Sequence, residues 1–220
     1  MNRSVAPALF GRALALALAA TLPASALAGV PSAANSTLPE CMVLCPMGDI
    51  PFTATIRDLA NNPLLGVSVV LSFDFGACEN NVFICEQLPS DPYQVNPGAL
   101  TIRMFTDPLG NVTFPARVGG TAPAGCVGVF ANGTLMRSYA LASPDQNGDG
   151  VFAPVVGGAD WAIFLSKLGV ADPTADFDCS GGPVDNADNI AQFPHSGHSC
   201  VGIVDPALRR TWGSLKHHYR

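Results

Sequence analysis

Between Pro51 and Leu141 the chain runs in short apolar–polar alternations broken by proline, glycine and asparagine. FTATIRD (Phe52 to Asp58) alternates with the two-residue period of a half-buried strand. VSVVLSFDF (Val67 to Phe75), ALTIRMF (Ala99 to Phe105), VTFPARV (Val112 to Val118), CVGVFA (Cys126 to Ala131) and TLMRSYAL (Thr134 to Leu141) read the same way. NNPLLG (Asn61 to Gly66) and DPLGN (Asp107 to Asn111) carry turn chemistry, and Asn132–Gly133 between the last two runs is a strong hairpin signal. Short strands at this spacing predict a mostly β fold, a sandwich in the first instance and a small barrel in the second.

The pattern changes at ASPDQNGDG (Ala142 to Gly150). Strand alternation stops and acidic residues gather. GGADWAIFLSKLG (Gly157 to Gly169) predicts a helix with a broad apolar face of Trp161, Ile163, Phe164, Leu165 and Leu168, and Gly169 as its C-cap. NADNIAQFPHSG (Asn186 to Gly197) predicts a shorter helix interrupted at Pro194. From Asp145 to Cys200 the chain therefore reads loop–helix, linker, loop–helix.

The N-terminus changes the compartment. Arg3 and Arg12 precede the apolar run ALALALAATL, and ALA at residues 26–28 offers the small residues of a secretory cleavage site. The run is short for a membrane span, and no later stretch is long and apolar enough for one. Residues 1–28 are thus expected to be a signal peptide. The remaining chain has nine Lys and Arg against 17 Asp and Glu, a net charge of −8, which argues against nucleic acid as a partner. All seven cysteines (Cys41, Cys45, Cys78, Cys85, Cys126, Cys179, Cys200) follow the signal, so disulfides are expected with one thiol left over. Cys78–Cys85 is expected to staple a hairpin and Cys179–Cys200 to close the acidic region. Cys41, Cys45 and Cys126 compete for a third bond.

The acidic loops carry the candidate chemistry. Asp145, Asn147 and Asp149 place oxygen donors at alternate positions before Gly150, matching positions one, three, five and six of a calcium loop. Val151 would donate its backbone carbonyl. Val156 at position twelve cannot ligate through its side chain, so Asp160 closes the shell only if four extra residues bulge out. In the second loop Asp176, Asp178, Ser180 and Gly181 take the same places, and one extra residue moves the closing carboxylate to Asp188. Gly182 would donate a carbonyl, and Asp185 would assist through water. Ca²⁺ is the cofactor this pattern predicts.

Two resemblances give these readings names. IRDLANNPLLGVSVVLSF and TDPLGNVTFPARVGG resemble bacterial immunoglobulin-like modules of the invasin-repeat or carboxypeptidase-regulatory sort. The fold class this implies is mostly β, an immunoglobulin-like β-sandwich over residues 45–143. DQNGDGVF, ADWAIFLSKLG and ADFDCSGGPVDNADNIAQF resemble a type I dockerin, implying a small α-helical calcium module with two calcium loops over residues 144–200. The resemblance implies Asp145, Asn147, Asp149, Asp160, Asp176, Asp178, Ser180 and Asp188 as ligands. Dockerins bind cohesin domains through their helix faces. The small hydroxyl pair that dockerins often show late in each loop is absent here, so calcium is the firmer implication.

Other motifs add little. HSGHSC (His195 to Cys200) offers His195, His198 and Cys200 to zinc, against a disulfide at Cys200. No nucleophile elbow, HExxH, phosphate loop or dinucleotide fingerprint is present. Asp74 or Glu79 as half of a glycosidase couple has only composition behind it. The sequons at Asn35, Asn111 and Asn132 read as coincidence in an exported bacterial chain, and residues 201–220 form a basic tail of sorting, docking or frayed character. The function expected is a secreted or cell-surface, non-catalytic structural, adhesive or docking protein stabilised by calcium, with a cohesin-like protein or a polysaccharide as partner. An accessory protein or hydrolase acting on extracellular polysaccharide is the alternative.

Overall fold

A computed structural model describes residues 29–76, 78, 81–149 and 156–200; the expected signal peptide and basic tail lie outside them. The described fold is mostly β. Its strands are β1 (Met42–Val43), β2 (Phe52–Thr55), β3 (Ser68–Ser72), β4 (Phe83–Ile84), β5 (Gln94–Asn96), β6 (Thr101–Phe105), β7 (Asn111–Phe114), β8 (Val118–Gly119), β9 (Ala122–Ala131) and β10 (Thr134–Ala142). One sheet runs in the order β1-β10-β9-β3-β6-β5, and the pairs β2–β7 and β4–β8 stand apart from it. β1 lies parallel to β10, whereas the other pairings are antiparallel.

Local chemistry explains these elements. In β3, Val69 and Leu71 are buried while Ser68, Val70 and Ser72 are half-buried, the alternation a pleated strand imposes. Asn132 and Gly133 adopt φ of 45° and 82°, the paired positive values of a type I′ turn, and set Thr134 opposite Ala131. The single strand expected from Val112 to Val118 divides at Pro115. Proline has no amide to give a ladder, so β7 pairs with β2 and β8 pairs with β4. The strand expected from Phe52 to Asp58 ends at Thr55, with Arg57 and Asp58 making only isolated bridges.

One apolar core joins the sheet to the β2–β7 pair. It takes Phe52 and Ala54 from β2, Val112 and Phe114 from β7, and Val69, Leu71, Ile102, Val129 and Leu141 from the sheet. Phe52 meets Tyr139 of β10 edge to face at 5.9 Å, which ties the two layers directly.

The C-terminal region contains helices α1 (Gly158–Ser166) and α2 (Asn186–Gln192), then a 3₁₀ turn over Phe193–His195. Pro194 cannot donate, so α2 gives way to that turn. Gly169 adopts φ 78° just past α1 and donates its amide to the Val184 carbonyl. A second core of Phe164, Ala175, Phe177 and Val184 closes on Ala142 at the end of β10, with Val43 of β1 against it. The helices thus pack on the β1–β10 edge of the sheet. Of the broad apolar face expected on α1, Phe164 is buried, whereas Leu165 and Leu168 are exposed.

Two disulfides reinforce that junction, and the pairing corrects all three expectations, since Cys41 and Cys126 each bond outside the trio with Cys45. The bonds are Cys41–Cys179, Cys78–Cys126 and Cys85–Cys200, and Cys45 is free and buried. Cys78 does not reach Cys85 because β4 leaves the main sheet for β8, carrying Cys85 beside Pro46. Cys78 stays near β9, where the Phe75 amide meets the Cys126 carbonyl. Cys179 does not reach Cys200 because the two point to different parts of the β region. The guanidinium of Arg117 holds the Cys200 carbonyl, the Glu86 carbonyl and, at 3.2 Å, the Asp91 carboxylate. No helix among the described residues is long and apolar enough to cross a membrane.

Candidate metal centre

The first acidic loop begins where β10 ends. Asp145 is buried, and its backbone carbonyl receives the Gly120 amide. Gly119 makes room for its carboxylate, because a Cβ there would lie 2.6 Å from Asp145 Oδ2 and 2.3 Å from the Phe83 ring. Asp145 Oδ1 accepts from the Gly148 amide at 3.0 Å, while Oδ2 is buried without a hydrogen-bond partner among the described residues. Burial, then the neighbouring Asp160 carboxylate, pushes the Asp145 pKa up to about 7. Asn147 turns to Asp149, donating from Nδ2 at 2.7 Å and accepting the Asp149 amide at 3.1 Å. Gly150 and Val151 lie outside the described residues.

Asp160 crosses the insertion. Its Oδ2 accepts the Gly157 amide at 2.8 Å, capping α1, and its Oδ1 accepts the Asn147 amide at 3.2 Å. The four extra residues therefore do not keep the α1 carboxylate from the start of the loop. Burial holds the Asp160 pKa up, against the pull of the Gly157 and Asn147 amides.

The second loop repeats this wiring. Asp188 Oδ2 accepts the Asp185 amide at 2.9 Å, and Oδ1 accepts the amides of Phe177 at 2.7 Å and Asp178 at 3.2 Å. Asp176 accepts the amides of Ser180 and Gly181, each at 2.9 Å. Carboxylate oxygens of Asp176, Asp178 and Asp188, one from each, all lie within 4.8 Å of one another. Burial raises the Asp176 pKa, whereas the Ser180 amide lowers that of exposed Asp178. Asp185 spends its carboxylate on the Ala187 amide as the α2 N-cap. Ser180 Oγ accepts the Gly182 amide; Ser180 is exposed and Gly182 half-buried. Asp145, Asp149 and Asp160 do not form a comparably tight group, because Asp149 turns outward with Asn147.

A different set of donors gathers where the C-terminus meets the β region. Cys200 is disulfide-bonded, so it does not join His195 and His198 as a ligand. Those histidines instead face Cys45 and Asp49, and the four side chains bring one donor atom each within 4.8 Å of the others. Cys45 and Asp49 precede the histidines by about 150 positions, so no local spacing betrays the cluster. HSGHSC pointed to the two histidines and the odd cysteine count to a spare thiol, but nothing in the sequence joined them.

Comparison with protein-family models, curated proteins and solved structures finds no match to this chain.

Proposed function

We propose that this is an exported, non-catalytic calcium-binding protein with a structural or docking role, an immunoglobulin-like β-sandwich carrying a dockerin-like loop–helix unit. One observation carries the reading: the second loop gathers three carboxylates, and the first holds buried Asp145 beside buried Asp160. Asp176, Asp178 and Asp188 converge within 4.8 Å, and Asp145 keeps a buried oxygen without a partner among the described residues. Like charges so placed repel, and a buried carboxylate costs free energy without compensation. A hard divalent cation with oxygen ligands offsets both. The three disulfides favour export to an oxidising compartment. Exposed Leu165, Leu168, Val170, Ile190 and Phe193 on and beside α1 and α2 supply apolar contact for a cohesin-like or other extracellular protein partner.

The test is thermal unfolding of the mature full chain, first freed of metal and then returned to calcium alone. Calcium at 100 times its Kd stabilises by about 2.7 kcal/mol per site. We expect a calcium-dependent rise in Tm, with up to two bound ions by native mass spectrometry. Identical melting with and without calcium overturns the proposal. Turnover in a screen of plant and microbial polysaccharides overturns its non-catalytic part.

A further inference from the structure

We propose that Cys45, Asp49, His195 and His198 form a zinc site, separate from the calcium loops, that clamps the C-terminal segment to the β region. Its donors are one thiol sulfur, one carboxylate oxygen and two imidazole Nδ1 atoms. His198 Nδ1 lies 3.4 Å from Cys45 Sγ and 3.3 Å from Asp49 Oδ2, and His195 Nδ1 lies 2.9 Å from the same oxygen. Around tetrahedral zinc, with Zn–N near 2.0–2.1 Å and Zn–S near 2.3 Å, neighbouring donors stand about 3.3 to 3.6 Å apart. These three separations are within a few tenths of an ångström of that spacing, and all four donors lie within 4.8 Å of one another. A calcium ion would find a single carboxylate here, so the donor chemistry selects a softer metal.

Charge and scaffolding agree. A thiolate and a carboxylate neutralise a dication, and neutral imidazoles add nothing, so the loaded centre carries no net charge in a largely buried place. Cys45 is fully buried and His198 nearly so, with Asp49 on the solvent side. On binding, the Cys45 S–H bond breaks, its electron pair goes to zinc and its proton goes to solvent. Both donor pairs are held from outside. The Gly48 amide closes a turn onto the Cys45 carbonyl, and a side chain at Gly48 would strike Pro115 O at 2.8 Å. The Val156 amide meets the His198 carbonyl at 3.2 Å, and the Gly197 amide meets the Val156 carbonyl at 3.0 Å. Cys45 stands outside all three disulfides, which explains an unpaired thiol in an otherwise oxidised chain.

Metal-free mature protein, its disulfides intact and calcium saturating, is titrated with Co²⁺ and then with Zn²⁺. One equivalent of cobalt should bind with the intense visible bands of a tetrahedral centre and a near-ultraviolet thiolate charge-transfer band, and zinc should erase both. Cys45→Ser should remove the charge-transfer band. His198→Gln should weaken cobalt and zinc by more than the roughly 10–100-fold that follows loss of an outer-shell partner. Neither variant touches a disulfide or a calcium loop, so both should keep the wild-type response to calcium. Absence of cobalt binding overturns the proposal, as does stoichiometric binding without the charge-transfer band or a band that survives Cys45→Ser. Because calcium is present throughout, a failed zinc site and failed calcium loops give different results.

Discussion

Replacing Asp145 by asparagine should have opposite consequences with and without calcium. In the metal-free chain, burial and the Asp160 charge lift the Asp145 pKa to about 7. The unfolded value is near 3.9, and about three pKa units correspond to roughly 4 kcal/mol of linkage. Because the folded value is the higher one, the contribution to stability is fully present below about pH 4 and is lost as pH rises through about 7. Metal-free protein should therefore become more stable over this window as pH falls, counter to the usual acid response. Asparagine removes the charge and keeps an oxygen for the Gly148 amide, which now bonds Oδ1 at 3.0 Å. Asp145→Asn should thus stabilise metal-free protein at pH 7 by about 2–4 kcal/mol, a rise in Tm on the order of 4–16 °C. It should flatten the pH dependence and shrink the gain from calcium. Differential scanning calorimetry at pH 4 to 8, with and without calcium, measures all three. A variant less stable than wild type in both conditions would refute the reasoning, since Asp145 would then be a structural acceptor and not a carboxylate awaiting a cation.

Other perturbations probe the junction between the helices and the sheet. Removing Cys41–Cys179 by a double serine substitution opens a cross-link spanning 138 positions, and urea unfolding should show a loss of about 3–5 kcal/mol. Phe164→Ala should cost about 3–5 kcal/mol in the same assay, because the ring is fully buried among Trp161, Phe177 and Val184; a loss under 1 kcal/mol would deny that core. Arg117→Ala should cost about 3 kcal/mol or more, since it strands Asp91 and frees the Glu86 and Cys200 carbonyls, and Asp91→Asn alongside it should recover part of the loss.

Strand alternation, the Asn132–Gly133 hairpin, both helices and the break at Pro194 were legible in the sequence because each depends on nearest neighbours: a period, a permitted φ, a missing amide. The gathering of acidic residues in two loops was legible for the same reason, and the matching amide bonds of Asp160 and Asp188 follow from a carboxylate three residues into each helix. Strand partners and cysteine partners were not. Pro115 splits one run between two sheets, which sends Cys85 to Cys200 and leaves Cys78 to Cys126. Cys45 and Asp49 meet His195 and His198 only after the C-terminal segment folds back along β1 and β10. The sequence alone determined what each short stretch prefers, because that preference is paid within a few residues. Which distant stretches share a core, a cross-link or a set of donors was decided by tertiary packing, where one early choice of strand partner moves every later contact.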